Sequence, residues 1–419
     1  MKKILSAVCL LLCMLMLFTS CQSTTTLTDS DNLMIDVKAD DNFAYNFVSG
    51  ETSPPNSYNS YINAAGDFSF KMLSSLYQSG KNTAFSPSGL YSQLALLLNA
   101  SGGDNQSEIK NLVGKNISID ALNQCSGYFL SRIKSLNDEE NKYYVDINNN
   151  LIFNDTKAVS TNFLLKNANF YNQGVFKIDY ENEHSVNKVN GYLKERTSQK
   201  SPDMVSSLTG DINAYSTVYM KDKWLQGYTN ENITAKTFKG IDGNVTANFM
   251  ESTEYYISGK NCTGFIKSFK NTPCKFIALL PNENTSAYQL AKSLDSEEYN
   301  KILNTMNVFK TCKASIPQFS VNETVDFKEA LAKNNVDIMF TPEADFSNLS
   351  YNAVAQTSNI VQNIDIDITQ GGVCTTKVNK SGSKEITPEY TVTLSRPFIF
   401  IIADNESNLP INMGILSKI

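Results

Sequence analysis

Two short hydrophobic segments near the C-terminus enclose a long polar one. Residues 364–368 alternate isoleucine with aspartate, the two-residue period of a half-buried strand, and Gln-Gly-Gly at 370–372 ends that strand. Residues 373–389 contain mostly Thr, Lys, Asn, Ser and Gly, and they exceed the usual connection of about 4–6 residues. Alternation resumes at 390–394, and 396–402 is a largely apolar run typical of a buried strand. The pattern predicts an exposed loop held between two core strands.

Helices are predicted near the start of the folded part. Apolar residues recur at helical spacing within 61–76, and the segment 91–100 is strongly apolar and rich in leucine. Ser86 followed by Pro87 marks the end of a strand and the start of a helix, because proline has the backbone angle that a first helical turn needs.

Composition and charge exclude several classes of function. The chain has 419 residues, 41% of them hydrophobic, and a net charge of −6 with no run of Lys and Arg longer than a pair. Nucleic-acid binding is therefore not expected. His184 is the single histidine through which a Ser-His-Asp or Cys-His mechanism would have to pass. Nucleotide-binding and hydrolase motifs are also missing from the sequence, so we expect neither an enzyme nor a cofactor.

The N-terminus carries an export signal. Lys2 and Lys3 precede an apolar run at 4–18 that is too short for a membrane span and is typical of a signal peptide. The small residues directly before Cys21 resemble a bacterial lipoprotein processing site, at which this cysteine becomes the lipid-bearing N-terminus. Ordinary secretory cleavage nearby is the alternative. Either way the chain is exported, as a cell-envelope lipoprotein or an extracellular protein.

These signals divide the chain into three parts. Residues 1–21 are predicted to be a lipoprotein signal peptide, 22–58 a polar tether without sustained periodicity, and 59–419 the folded domain. The five cysteines after the signal lack zinc-like spacing, so no metal site is predicted. Cys262 and Cys274 flank a short polar segment, and two alternatives stay open: a disulfide across a hairpin, or two buried free thiols.

Several short motifs occur in unbroken order from about residue 60 to the C-terminus. They are Asn82 to Leu90 with its Ser86-Pro87-Ser88, Val189 to Leu193, Val218 to Trp224, Ala314 to Ser320, Phe340 to Ser347, Arg396 to Phe400, and Met413-Gly414-Ile415. Together they closely resemble the serpin family, in its bacterial lipoprotein form. The resemblance implies an α+β serpin fold, with mixed and antiparallel sheets, surrounding helices and an exposed reactive-centre loop.

The resemblance also assigns residues to the shutter and breach, the regions where the central sheet opens. These residues are Asn82, Ser86, Pro87, Ser88 and Trp224. The family usually has Asn and Gly where this chain has Ser216 and Asp222, so the opening of the sheet is expected to differ.

A suicide-substrate inhibitor of serine proteases is the implied function, with cysteine proteases as the second target class. The target protease cleaves the loop and forms a covalent acyl complex, and the loop then enters the central sheet as a new strand. The implied protein is a monomer that contacts the membrane only through its lipid anchor. The alternative is a non-inhibitory serpin-fold protein that acts in binding or as a scaffold at the cell surface.

Insertion depends on the hinge, predicted as Gly371, Gly372, Cys374, Thr376 and Val378. Side chains alternate faces in a strand, so two sets compete for the core. The even set is Gly372, Cys374, Thr376 and Val378, and the odd set is Val373, Thr375, Lys377 and Asn379. The odd set would bury the ammonium of Lys377 without a partner, which is costly. The sequence therefore predicts that the even set enters the core.

The scissile bond is predicted among Lys384, Glu385, Ile386 and Thr387. Family spacing counted from Gly371 or Gly372 gives the bond after Glu385 or after Ile386, and alignment of the downstream Pro-Glu pair gives the bond after Lys384. Each choice suits a different protease: one with an acid-lined pocket, one that selects acidic residues, or one with an apolar pocket.

We predict that Cys21 carries lipid in the mature protein. Metabolic labelling with a fatty-acid precursor should label the wild-type chain and the control Cys13→Ala, but not Cys21→Ala, because only Cys21 follows the processing signal. An unlabelled wild-type chain, or label that persists in Cys21→Ala, would refute this assignment.

Overall fold

The chain folds into a layer of helices around two β-sheets. The computed structural model describes residues 26–40, 52–135, 137, 143–197, 199–349, 356–377 and 387–419. The helices are α1 (Tyr58–Leu76), α2 (Pro87–Ala100), α3 (Gly103–Gly114), α4 (Ile119–Ser135), α5 (Thr161–Phe170), α6 (Ser185–Arg196), α7 (Ala287–Ser293), α8 (Ser296–Leu303) and α9 (Lys328–Ala332). Of the helices in these ranges, not one has the length and apolar character needed to cross a bilayer.

The strands form two sheets of mixed pairing. They are β1 (Thr83–Phe85), β2 (Tyr144–Asn154), β3 (Gly174–Ile178), β4 (Ile212–Lys223), β5 (Ile233–Gly240), β6 (Gly243–Ser258), β7 (Cys262–Ser268), β8 (Cys274–Pro281), β9 (Thr311–Pro317), β10 (Phe319–Asp326), β11 (Thr357–Ile368), β12 (Gly372–Val373), β13 (Tyr390–Thr393), β14 (Phe398–Asp404) and β15 (Pro410–Leu416). The predicted α+β class, with surrounding helices and mixed sheets, is confirmed.

The larger sheet runs in the order β1-β15-β14-β8-β7-β6-β9-β13, with β5 paired to β6. All residues of β14 and β15 are buried, as expected of strands covered on both faces. Residues 398–402 of the predicted apolar run thus lie in the core. This sheet receives the chain where it returns from the predicted loop, at β13.

The smaller sheet runs in the order β10-β11-β12-β4-β2-β3, and β4 also pairs directly with β11. β4 and β11 are parallel, from Ile212 beside Thr357 to Tyr219 beside Asp365. We call this pairing the β4–β11 seam. Even-numbered side chains of both strands face the main core, where Ile364 is fully buried, and odd-numbered ones face the opposite side of the sheet, which α6 covers.

Part of the predicted tether lies against the domain. The backbone N–H of Leu33 donates to Val175 O (2.9 Å), and Asn32 forms a β-bridge with Phe176, so this segment covers the free edge of β3. Leu27 is buried beside α6. Residues 26–40 therefore form an ordered strap rather than a free linker, because they satisfy an exposed strand edge.

Cys262 and Cys274 do not pair. Both are buried free thiols, which settles the two alternatives in favour of the second. The physical reason is the hairpin register, which sets Cys262 beside Pro281 and Ser268 beside Lys275. The two cysteines therefore lie at opposite ends of the hairpin.

Lys200, just after α6, joins the two strands of the seam on the face opposite the core. Its Nζ donates to Asp365 Oδ2 of β11 (2.9 Å) and lies 5.4 Å from the centre of the Tyr219 ring of β4. Partial burial disfavours the charged form, but the hydrogen bond to Asp365 and nearby charges outweigh this cost and raise the pKa of Lys200. The ammonium thus links β4 to β11 on the face of the sheet opposite the core.

We predict that Lys200→Gln weakens the closed sheet. The free energy of unfolding should fall by about 0.5–1 kcal/mol, the scale of a partly exposed ion pair with a cation–π contact. The stabilisation should be present at neutral pH and fade as pH rises above 10.5, because the folded pKa is raised above that ordinary value. Urea unfolding at several pH values measures it.

Lys301→Gln is the matched control, since its pair with Glu297 lies on the exposed surface of one helix. An equal loss of stability in both variants would show that Lys200 contributes no more than an ordinary surface charge.

Candidate functional site

The shutter residues bind the start of α2 to the C-terminal strand. Ser86 caps α2, accepting from the N–H of Gly89 (3.2 Å), and its hydroxyl donates to the carbonyl of Ile411. Pro87 is the first helical residue, as predicted, and Ser88 Oγ donates to Pro410 O (2.7 Å). The structure therefore brings three of the predicted shutter residues together at one junction.

Asn82 lies just before β1 and binds the chain beyond the other end of β15. Its Oδ1 accepts from the backbone N–H groups of Ser417 (2.8 Å) and Lys418 (3.0 Å). Its Nδ2 donates to the carbonyl of Lys418 (3.0 Å). Asn82 is therefore a structural support that holds the C-terminal end of the chain.

Gln362 is the shutter residue that the sequence prediction missed. Its Oε1 accepts from the N–H of Ser86 (2.6 Å), and its Nε2 lies 3.4 Å from Ser216 Oγ. Ser216, which replaces the family's asparagine, is thus part of this polar contact across the seam. The sequence feature that could have indicated this role is a glutamine at an even position of β11, between the buried Ile360 and Ile364.

Trp224 marks the other end of β4 and holds the turn that follows β11. Its indole N–H donates to Thr369 O (2.9 Å), and its backbone N–H donates to Gly371 O (2.9 Å). The fully buried ring stacks on Phe269, with ring centres 4.7 Å apart. Trp224, which the resemblance assigns to the breach, therefore lies directly against the predicted hinge.

Asp222 stands where the family usually has glycine, and its buried carboxylate fastens the breach. It accepts from the N–H (2.7 Å) and hydroxyl (2.6 Å) of Thr272 and from Asn271 Nδ2 (2.6 Å). These donors satisfy the charge and tie the β7–β8 turn to the end of β4. The substitution therefore adds a fixed contact beside the position where the hinge docks.

The first hinge residues already form a strand within the smaller sheet. In β12, Val373 lies beside Ile368 of β11 and Asp222 of β4, and Gly372 lies beside Lys223. Both pairings are antiparallel. A Cβ on Gly372 would lie 1.9 Å from the carbonyl oxygen of Asp222, so glycine is required there. The chain has entered the mouth of the β4–β11 seam by two residues.

The frame of this strand is opposite to the predicted one. Val373 is fully buried in the main core, and Thr375 is 7% exposed, whereas Cys374 is half-buried and Thr376 and Lys377 are exposed. The even set does not face the core in the paired segment. Burial of the Val373 side chain stabilises this frame by about 1.5–3 kcal/mol, and glycine at 372 permits the close approach that sets it.

Beyond β12 the chain turns away from the sheet at Cys374, which has a φ of 48°. Its Sγ lies 3.9 Å from Asp365 Oδ2, and burial raises the pKa of the thiol to about 11, so it is not a reactive thiolate at neutral pH. Val378, Lys384, Glu385, Ile386 and the predicted lipid anchor Cys21 lie outside the described residues.

The chain rejoins the larger sheet just after Thr387. The N–H of Glu389 donates to Thr311 O (3.1 Å), and Tyr390 stacks on Tyr256 with ring centres 4.1 Å apart. The predicted loop is thus fixed at one end in the smaller sheet and at the other in the larger sheet.

Comparison with known proteins agrees with this arrangement. The family model described as serpin, serine protease inhibitor, matches residues 63–419. Serpin B3 of Homo sapiens is 22% identical over 390 residues, covering 86% of this chain and all of that protein. An uncharacterised serpin-like protein of Methanosarcina acetivorans is 21% identical, covering 83% of each chain.

Solved structures share the whole fold. Tengpin, a thermophilic serpin in its native state, superposes with a TM-score of 0.82 at 26% identity, covering 93% of this chain and 99% of tengpin. Human thyroxine-binding globulin, solved in complex with thyroxine, superposes with a TM-score of 0.76 at 20% identity, covering 86% of this chain and 99% of the globulin. Sequence motifs, strand order and these matches agree, and the chain belongs to the serpin family.

Proposed function

We propose that this serpin inhibits serine proteases as a suicide substrate, with cysteine proteases as the second target class. One observation carries the proposal: β12 pairs antiparallel with both β11 and β4, at the end of a seam where those two strands are parallel. A strand that continued from β12 would replace one parallel ladder with two antiparallel ladders. Antiparallel pairing is somewhat more stable per residue, so the fold favours insertion once the loop is free.

The covalent step needs only the protease and the loop. The hydroxyl of the protease serine adds to the carbonyl carbon of the scissile bond, and the peptide C–N bond breaks. The hydroxyl proton passes to the departing amine, which becomes the new N-terminus of the C-terminal fragment. The other fragment remains as an ester on the protease. Insertion of the hinge then pulls the protease along the sheet before water can hydrolyse that ester.

The second candidate is a non-inhibitory role in binding or as a scaffold at the cell surface. Its support is the similarity in fold to human thyroxine-binding globulin, which was solved in complex with thyroxine. On that function the loop would remain outside the sheet after cleavage. The export signal and Cys21 support a cell-envelope location for either function.

We predict that cleavage of the loop raises the melting temperature. A nick after Glu385 by a glutamate-specific serine endopeptidase frees the hinge, and the added strand brings ladder hydrogen bonds and buried apolar area at about 25 cal/mol per Å². Differential scanning calorimetry compares intact and nicked protein, with intact mass confirming a single cut. No upward shift would favour the non-inhibitory candidate.

We predict that inhibitory complexes map to residues 384–387. Each protease of a panel should leave a C-terminal fragment beginning at Glu385, Ile386 or Thr387, which mass spectrometry identifies. The fragment reports the specificity class: cleavage after Lys384 indicates an acid-lined pocket, after Glu385 an acid-selective protease, and after Ile386 an apolar pocket. Stable complexes with cuts elsewhere in the loop would contradict this assignment.

A further inference from the structure

The register of β12 determines where later hinge residues would lie in a longer strand. Val373 stands beside Ile368 and Asp222, and the seam sets Ile364 beside Val218. The pairings with β11 and with β4 agree with each other from Asn359 to Asp365, the part of the seam without a register shift. Because both ladders are antiparallel to β12, each two-residue step forward on β12 moves two residues back on both neighbours.

In this register Thr375 would lie beside Ile366 and Met220, on the core face. The next core-facing position belongs to Lys377, which would lie between Ile364 and Val218. Those two side chains are 0% and 1% exposed and apolar. An ammonium between them has no anionic partner from either flanking side chain, and burial of an unpaired charge is strongly disfavoured.

Positions on either side of Lys377 carry no such cost. Thr375 is already nearly buried in the uncleaved chain. In the same register, Asn379 would lie beside Gln362 and Ser216, whose amide and hydroxyl groups can form hydrogen bonds with it. The obstacle is therefore a single side chain.

We propose that Lys377 limits loop insertion and so sets how often cleavage ends in a trapped protease. This inference rests on the proposed inhibitory function. After cleavage the strand grows past Val373 to Thr375 and then pauses, because the next step buries the Lys377 ammonium. In most molecules water hydrolyses the acyl ester during this pause, and active protease and cleaved serpin are released. The wild-type chain thus still traps protease, but several molecules are cleaved for each protease that is trapped.

Lys377 is exposed in the uncleaved chain, so its replacement should leave the intact fold unchanged. Two variants separate charge from position. Lys377→Ala removes the ammonium. The double change Thr376→Lys with Lys377→Thr keeps the composition and net charge, but moves the ammonium to the opposite face, where position 376 would lie beside Asp365 and Tyr219 by the same count.

The experiment treats the wild type and both variants with a glutamate-specific serine endopeptidase, which gives the same nick after Glu385 in each. It measures the number of serpin molecules consumed per protease inhibited, SDS-stable complex, and the shift in melting temperature on nicking. We expect both variants to need about tenfold fewer molecules per protease than the wild type, since a barrier lower by about 1.4 kcal/mol changes the partition tenfold. Both should also show a larger melting shift.

The outcomes are distinguishable. If the wild type already inhibits with one molecule per protease and shifts as much as Lys377→Ala, the role of Lys377 is wrong and the inhibitory function stands. If the charge-moving variant is worse than the wild type while Lys377→Ala is unchanged, the even frame governs insertion and the proposal fails. If none of the three proteins forms complex or shifts in melting, the inhibitory function itself is wrong.

Discussion

The parallel pairing of β4 with β11 stays closed because groups on both faces of the sheet hold it. On the core face, Gln362 joins Ser86 and Ser216 across the seam. On the other face, Lys200 reaches one strand with a hydrogen bond and the other through an aromatic ring. None of these contacts is strong alone, and all lie between two strands that a third strand could separate. Several individually weak side-chain contacts on both faces therefore hold the seam.

The mouth of the seam differs from the rest because the hinge already occupies it. Trp224 holds the preceding turn through two hydrogen bonds, and the Asp222 carboxylate fixes the end of β4 to a neighbouring turn. Because the turn before the hinge and the end of β4 are both fixed, they restrict the backbone conformation of the hinge residues between them. Gly372 permits the close approach, and Val373 gains burial. Local packing at two residues thus sets the frame for the whole hinge.

Much of the fold could be predicted from the sequence, because apolar periodicity and ordered motifs report directly on buried strands and helix starts. Ser86-Pro87 and the apolar run of β14 are examples. Which hinge side chains face the core could not be predicted. The side-chain types favoured the even set, but the close backbone approach of residue 372 to Asp222 decided the outcome. Gln362 and the strap at 26–40 were missed for a related reason: their partners are distant in sequence, and a polar residue alone does not report which buried group it meets.

The frame of β12 determines which later hinge side chains would face the core after cleavage. In the uncleaved chain Cys374 turns the hinge out of the sheet, and Lys377 remains exposed at no cost. By the register of β12, the same side chain would face the core in a longer strand. A crystal structure of the wild-type chain cleaved in its loop tests this account most directly. It should show β12 lengthened in the frame that Val373 sets, with the Thr375 side chain in the core beside Ile366 and Met220. Cys374 and Thr376 in the core would contradict it.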